Sequence, residues 1–282
     1  MPRKLPLAQP SSKRPSPAVP VPVEPPPAPP RLFAGTSGWA YPTWKPGFYP
    51  ANVSSKNFLR FYSSQLNSVE VNYTFASALK PGQLQGWLDQ IGDQTGDGFR
   101  FSFKAPQRIT HFSRLRDCDT HLADFFTALK PAATAAKLGL VLFQLPPNFK
   151  ADLPRLRTFL AAPAFRRRDA PPIAFEFRHP SWFVPETEAI LRKRDAAFCI
   201  AETDDLTTPE IHTAATHACF RLRHSGGYTS RKIAAFAERF LTLAQARDVF
   251  VYFRHEDEPT GALNASTFLR KASKLSTAGH AL

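Results

Sequence analysis

Cysteine is scarce in this chain: Cys118, Cys199 and Cys219 are the only three in 282 residues. The count is odd and no Cys-x-x-Cys spacing occurs, which excludes a disulfide framework or a zinc knuckle and makes a reducing, cytoplasmic compartment the simple expectation. Long apolar runs are also missing. No stretch approaches the roughly 18 consecutive apolar residues of a membrane span, so no membrane association is expected. Acidic residues are outnumbered, with 23 Asp and Glu against 36 Lys and Arg, a net charge of +13. A full Gly-x-Gly-x-x-Gly fingerprint is lacking too. Gly35-Thr-Ser-Gly38 supplies only a fragment of it, which weighs against a doubly wound dinucleotide-binding sheet. Neither His-Glu-x-x-His nor paired-histidine spacing is present, so no metal ligands are assigned and the sequence specifies no cofactor.

Proline is abundant, and its distribution is uneven: 12 of the 28 prolines fall in the first 30 residues, beside Arg3, Lys4, Lys13 and Arg14. That segment has no apolar core of the kind a signal peptide needs, and residues 1–31 are expected to be a disordered, Pro-rich basic tail. Five Lys and Arg against Glu24 give the tail +4 of the total +13, leaving +9 on the remainder. A surface so charged favours phosphate-bearing or otherwise anionic partners. No nucleic-acid recognition motif accompanies it, so nucleic acid is a possible partner rather than the first choice.

After the tail, strand-like and helix-like stretches alternate. Strands are expected at residues 32–38, 68–73, 99–105, 140–145, 173–178, 197–202, 218–223 and 249–254. Helices are expected at 56–66, 83–91, 119–137 with a break at Pro131, 153–160, 186–194, 233–246 and 260–274. Eight βα repeats over about 250 residues match the count and length of a single-domain α/β (β/α)8 barrel of the TIM type, spanning 32–276, with 277–282 as a short tail.

What each strand carries near its C-terminal end is the main functional signal. The stretch Ile173 to Trp182 places Glu176 and Arg178 on one face and Ile173, Phe175 and Phe177 on the other, before His179-Pro180 stops the strand. A carboxylate and a guanidinium in so apolar a strand are costly unless paired or used. Other strands end the same way, with Thr36 and Ser37, Glu70 and Asn72, Lys104, Gln144, Glu202, Arg221 and Arg223, and Tyr252 and Arg254. Such residues are expected to converge at one barrel mouth, where catalytic groups come from several strands. Arg108 and His111, in the loop after Lys104, can bring a cation and an imidazole to an anion, and Trp39, Tyr41 and Trp44 can wall a pocket. His255 to Glu258 is expected to be a solvated acidic turn before the last helix rather than a metal site with His179 and Glu176. The runs Arg166 to Arg168 and Arg192 to Arg194 are expected to be solvated basic faces.

Six segments together resemble one known family: Gly35 to Trp39, Glu70 to Phe75, Phe101 to Pro106 with Ile109 to His111, Gln144 to Pro147, Phe175 to Trp182 and Tyr252 to Asp257. On these residues the chain is similar to the YecE-like proteins, domain of unknown function 72, over residues 33–275. Arg254 stands where relatives usually carry lysine, and Arg221-Leu-Arg-His224 where many carry Arg-Leu-His-Gly. The resemblance implies a TIM-type barrel and supplies no reaction. The expected function is therefore acid/base chemistry on a small phosphate- or carboxylate-bearing molecule at the barrel mouth. Glu176, with Glu70 or Glu202 and His111 or His179, would do the proton chemistry. Asn72, Lys104, Arg108, Gln144, Arg178, Arg221, Arg223, Tyr252, Arg254 and Trp39 would bind the substrate. The alternatives are a divalent-metal hydrolase or nuclease acting on nucleic acid, with Glu70, Glu176, Glu202 and a histidine as ligands, and a non-enzymatic barrel that binds nucleic acid or a protein partner. Oligomeric state is left open.

Overall fold

The computed structural model describes residues 32–92, 95, 98–254 and 257–279. The Pro-rich segment 1–31, His255 and Glu256 lie outside the described residues. Two all-parallel sheets make up the strand framework. One has the order β1 (Leu32–Thr36), β9 (Asp248–Phe253), β8 (His217–Leu222) and β7 (Ile200–Glu202). The other runs β2 (Ser68–Val71), β3 (Arg100–Lys104), β4 (Leu138–Gln144), β5 (Ile173–Glu176) and β6 (Ala197–Phe198). Between the strands lie α1 (Phe58–Gln65), α2 (Tyr73–Ala76), α3 (Gln83–Ile91), α4 (Asp119–Ala128), α5 (Lys130–Thr134), α6 (Leu153–Leu160), α7 (Pro185–Arg192) and α8 (Ser230–Ala244), and α9 (Thr260–Gly279) follows β9. The fold is therefore α/β with parallel sheets. None of the helices is long and apolar enough to cross a membrane among the described residues.

Side-chain alternation along the strands sets the two sides of the sheets. Val69, Val71, Phe101, Phe103, Phe143, Phe175 and Phe220 join the cluster that packs under the helices, while Leu140, Leu142, Ala174, Ala197, Cys219, Phe250 and Tyr252 form a separate inner cluster. Phenylalanine dominates the outer layer: Phe143 stacks on Phe175 at 5.1 Å, and Phe159 meets Phe165 edge-on at 5.2 Å. Each such ring contributes on the order of 1.5–3 kcal/mol by burial.

The sheets approach each other at two seams. At the first, side chains replace a backbone ladder. The Asn67 amide accepts from the Ala34 amide (2.7 Å) and donates to the Leu32 carbonyl (2.9 Å). The Tyr62 hydroxyl accepts from the Thr36 amide (2.8 Å) and donates to the Ser68 carbonyl (2.9 Å). The chains come so close here that a Cβ on Gly35 would lie 1.7 Å from the Ser68 carbonyl oxygen. At the second seam the strand expected over 197–202 is broken into β6 and β7. Cys199 lies between them, its amide donating to the Phe175 carbonyl at 2.8 Å, while the Phe198 amide is diverted to Thr213 Oγ1 at 2.8 Å. The Cys199 and Cys219 sulfurs are 3.4 Å apart.

Three other expectations are corrected. Residue 73 opens α2 rather than ending the second strand. The break in the 119–137 helix falls at Leu129, because Pro131 lacks an amide proton and fits the first turn of a new helix, α5. The last helix runs on to Gly279 instead of ending near 274: no proline or earlier glycine stops it, and Thr277 returns its hydroxyl to the Ser273 carbonyl (2.9 Å).

Candidate functional site

Inward alternation carries one polar residue beyond the inner apolar cluster on most strands, at the carboxyl ends where open α/β folds bind ligands. Arg221, inward on β8 two residues past Cys219, is the hub. It is 1% exposed. One terminal nitrogen donates to Glu176 Oε2 (2.5 Å) and Gln144 Oε1 (3.2 Å); the other donates to Glu70 Oε1 (2.6 Å) and Ser37 Oγ (3.4 Å). Ser37 Oγ donates to Glu70 Oε1 at 2.9 Å and accepts from Arg223 at 3.1 Å. Arg178 Nε completes the set, 2.8 Å from Glu176 Oε1. Asn72 donates to the Ser37 carbonyl at 3.3 Å. Arg221 Nε, Glu70 Oε2 and Asn72 Oδ1 are buried with no hydrogen-bond partner among the described residues.

Burial alone would raise the Glu176 carboxyl, but Arg221 and Arg178 outweigh it and hold the group down to about 2. Glu176 is thus ionised at any ordinary pH and a weak base, suited to orienting guanidinium groups rather than to moving a proton. Burial would likewise lower Arg221, yet Glu176 and Glu70 keep it above its usual value. Two carboxylates are therefore balanced by Arg221 and Arg178, and two further cations are left over. Burial and the neighbouring Arg221 push Arg223 down to about 10 and Lys104 to about 8. Neither Lys104 nor Arg223 has a carboxylate within 4 Å among the described residues. The Lys104 amine sits 3.9 Å above the Phe75 ring. Edge-on to that ring, at 4.9 Å, is His111, whose pKa is lowered by burial and then by Lys104 and Arg178, which favours the neutral imidazole.

Beside the cluster opens a pocket of about 360 Å3, lined by Glu176, Arg178, Thr203, Asp204, Arg223 and Arg254 among others. That volume suits a small molecule. A wider and more open concavity of about 640 Å3 lies between Arg114 and residues 148–155. Two of its cations are already engaged: Arg155 pairs with Asp152 at 2.9 Å, and Arg114 and Arg155 both lie over Phe149. The smaller pocket is the one that adjoins the buried cluster, and its lining sets Arg178, Arg223 and Arg254 against Glu176, Asp204 and Asp205.

Several expected site residues stand elsewhere. Glu202 shares the outward parity of Phe198 and Ile200 and meets Lys232 of α8 at 3.3 Å, away from Arg221. Tyr252 is inward but one layer deeper, its hydroxyl shared between Ser68 (2.8 Å) and Ser102 (2.6 Å). Arg108 lies exposed in a π-helical turn, Arg108–Phe112, and donates to His121 (2.6 Å). Arg254 lies on the pocket wall, donating to Ser225 Oγ (2.7 Å) and facing Asp204 at 3.5 Å. His179 caps the short turn Pro180–Trp182 through Ser181. Trp39 sits half-buried against Trp87 at 5.1 Å. Asp204 and Asp205, on the loop after β7, are pocket residues that strand-end reasoning passes over, since they belong to no strand.

For a metal ion the donors are poorly disposed. Arg221 occupies both Glu70 and Glu176, and no group of three His, Cys, Asp or Glu side chains gathers to hold one among the described residues.

Among curated proteins, the chain is 33% identical to the UPF0759 protein YecE of Escherichia coli K12 over 162 residues, 56% of this chain and 52% of that protein. It is 30% identical to the UPF0759 protein YunF of Bacillus subtilis over 158 residues, 55% and 53% respectively. The chain thus spans about half the length of the curated relatives it matches. Its fold is similar to the crystal structure of a DUF72 family protein from Thermotoga maritima, with a TM-score of 0.73 at 22% identity over 86% of this chain and 99% of that one. A DUF72 family protein from Enterococcus faecalis aligns with a TM-score of 0.70 at 18% identity, covering 86% and 96%. The family profile described as "Protein of unknown function DUF72" matches residues 33–280, and the chain belongs to that family.

Proposed function

We propose that the two sheets close into one (β/α)8 barrel of the TIM type, and that its C-terminal mouth is the active site of an enzyme acting on a small phosphate- or carboxylate-bearing molecule. The barrel reading is supported by the two seams, where Asn67 and Tyr62 tie β1 to β2 and a single residue joins β6 to β7. One observation carries the anion: Lys104 and Arg223 are both largely withdrawn from water beside a charge-balanced cluster, and neither has a carboxylate of its own. Buried cations without a carboxylate partner are costly, and an anionic ligand is what would compensate them.

In this reading Arg178 and Arg223 clamp the anion from the pocket wall, with Arg254 at its rim. Lys104 is the group whose proton can move near neutral pH, because it is held at about 8. Neutral His111, edge-on to Phe75, is a second acceptor. Glu176 and Glu70 fix the position of Arg221. A binding protein without turnover would use the same cations, so loss of a reaction on Lys104→Met, with anion binding retained, is what separates an enzyme from it.

The anion site is tested by thermal unfolding with and without inorganic phosphate at constant ionic strength. Phosphate is expected to raise the melting temperature of the wild-type protein and to have no effect on Arg223→Met. Equal shifts in both proteins would remove the clamp.

A further inference from the structure

The mouth has an aromatic edge that the anion clamp does not use. Phe112 is 72% exposed and Tyr73 38%, two of the four large hydrophobic side chains that stand out in water among the described residues, and both follow strands whose ends carry the cluster. Phe112 ends the π-helical turn Arg108–Phe112, in which the Ser113 amide reaches back five residues to the Arg108 carbonyl (2.9 Å). Such wide turns are rare and recur at functional sites. The chain links this edge to the cations: Phe112 is the residue after His111, His111 packs on Phe75, and Phe75 lies under the Lys104 amine at 3.9 Å. On the other side Tyr73 follows Asn72, which bonds Ser37, and Tyr73 meets Trp87 edge-on at 6.3 Å, which in turn holds Trp39.

A bare anion would need only the cations, and an exposed apolar ring beside them costs free energy unless something flat covers it. From this juxtaposition we propose that the ligand is a nucleoside phosphate, its phosphate held by Arg178 and Arg223 beside Lys104 and its base stacked on Phe112 at the rim. Stacking serves any base, because every base presents a π-face, so the edge selects for an aromatic anion without choosing among bases. The inference rests on the anion site proposed above.

Binding is measured by isothermal titration of the full chain with inorganic phosphate, ribose 5-phosphate and adenosine 5′-monophosphate. The nucleotide is expected to bind about 10-fold tighter than ribose 5-phosphate, ~1.4 kcal/mol, within the range for one base on one aromatic ring. Phe112→Ala is expected to erase that advantage while leaving ribose 5-phosphate affinity and the melting temperature unchanged, and Phe112→Trp to restore it. Equal affinity for the nucleotide and ribose 5-phosphate, or a nucleotide advantage that survives Phe112→Ala, overturns the stacking and leaves the anion site standing. Failure of all three probes to bind overturns the anion site and the inference together.

Discussion

Glu176→Gln is the most informative single substitution, because it removes a charge while keeping the shape of a side chain that two arginines hold. In the folded protein the carboxyl is held near 2, against 4.5 for an unconstrained glutamate. At ~1.36 kcal/mol per pH unit, that difference corresponds to ~3 kcal/mol of stability at neutral pH. The sign follows from the direction. A depressed carboxyl contributes fully above 4.5, and its contribution is lost as the pH falls from 4.5 towards 2. Glutamine cannot titrate, so the gap between the two proteins should be ~3 kcal/mol at pH 7 and shrink steadily below pH 4.5. The neutral-pH figure also falls in the ~3–5 kcal/mol range for breaking a buried ion pair from one side. For a chain of this size the corresponding loss in melting temperature is ~6–12 °C. Urea titrations at pH 7, 5 and 3 measure it. A gap under ~1 kcal/mol at pH 7, or one that does not change with pH, would refute the view that Arg221 and Arg178 overcome the cost of burying this carboxylate.

Three other outcomes are expected. Lys104→Met should stabilise the protein at pH 7, where the wild-type folded state carries a desolvated ammonium. The gain should vanish as the pH rises from about 8 towards 10.5, because the folded-state amine has the lower pKa; melting temperatures across that interval test it. Tyr62→Phe leaves the Thr36 amide and Ser68 carbonyl at the first seam without their bridge. It should cost ~1–3 kcal/mol and speed hydrogen exchange at Thr36, and unchanged exchange there would count against the bridge. With all three cysteines buried, native protein should not react with a bulky aromatic disulfide reagent until denaturant is added, and a rapid thiol burst would contradict their placement.

Much of this molecule could be read from side-chain parity, and the misreadings have physical causes. Glu70, Glu176 and Arg221 meet in the structure because each continues the inward register of its strand, after Ser68, Ala174 and Cys219 respectively. Glu202 obeys the same rule, but Ala197, Cys199 and Ala201 take the inward positions, so the glutamate faces out. It was the polarity of the strand end, without its parity, that misled. Tyr252 also has the right parity and the wrong depth, since alternation says which side a residue faces and nothing of how far along the axis it lies. The break at Cys199 had no local signal. It arises from a tertiary competition in which Thr213, fifteen residues away, captures the Phe198 amide. The tie through Asn67 and Tyr62 was equally hidden, because a side chain standing in for a ladder leaves no periodicity.

That tie has a consequence for genetics. A survey of every single substitution for lost function would score Gly35, Tyr62 and Asn67 as harshly as Arg221, although none of the three faces the pocket. Gly35 has no room for even a methyl group, and the other two carry main-chain hydrogen bonds that no other residue type reproduces. Intolerance mapped onto this fold would therefore draw two bright regions, one around the cations and one along the line where β1 meets β2. Only the first would report on chemistry, and the distinction would show as variants that fail to accumulate against variants that accumulate and do nothing.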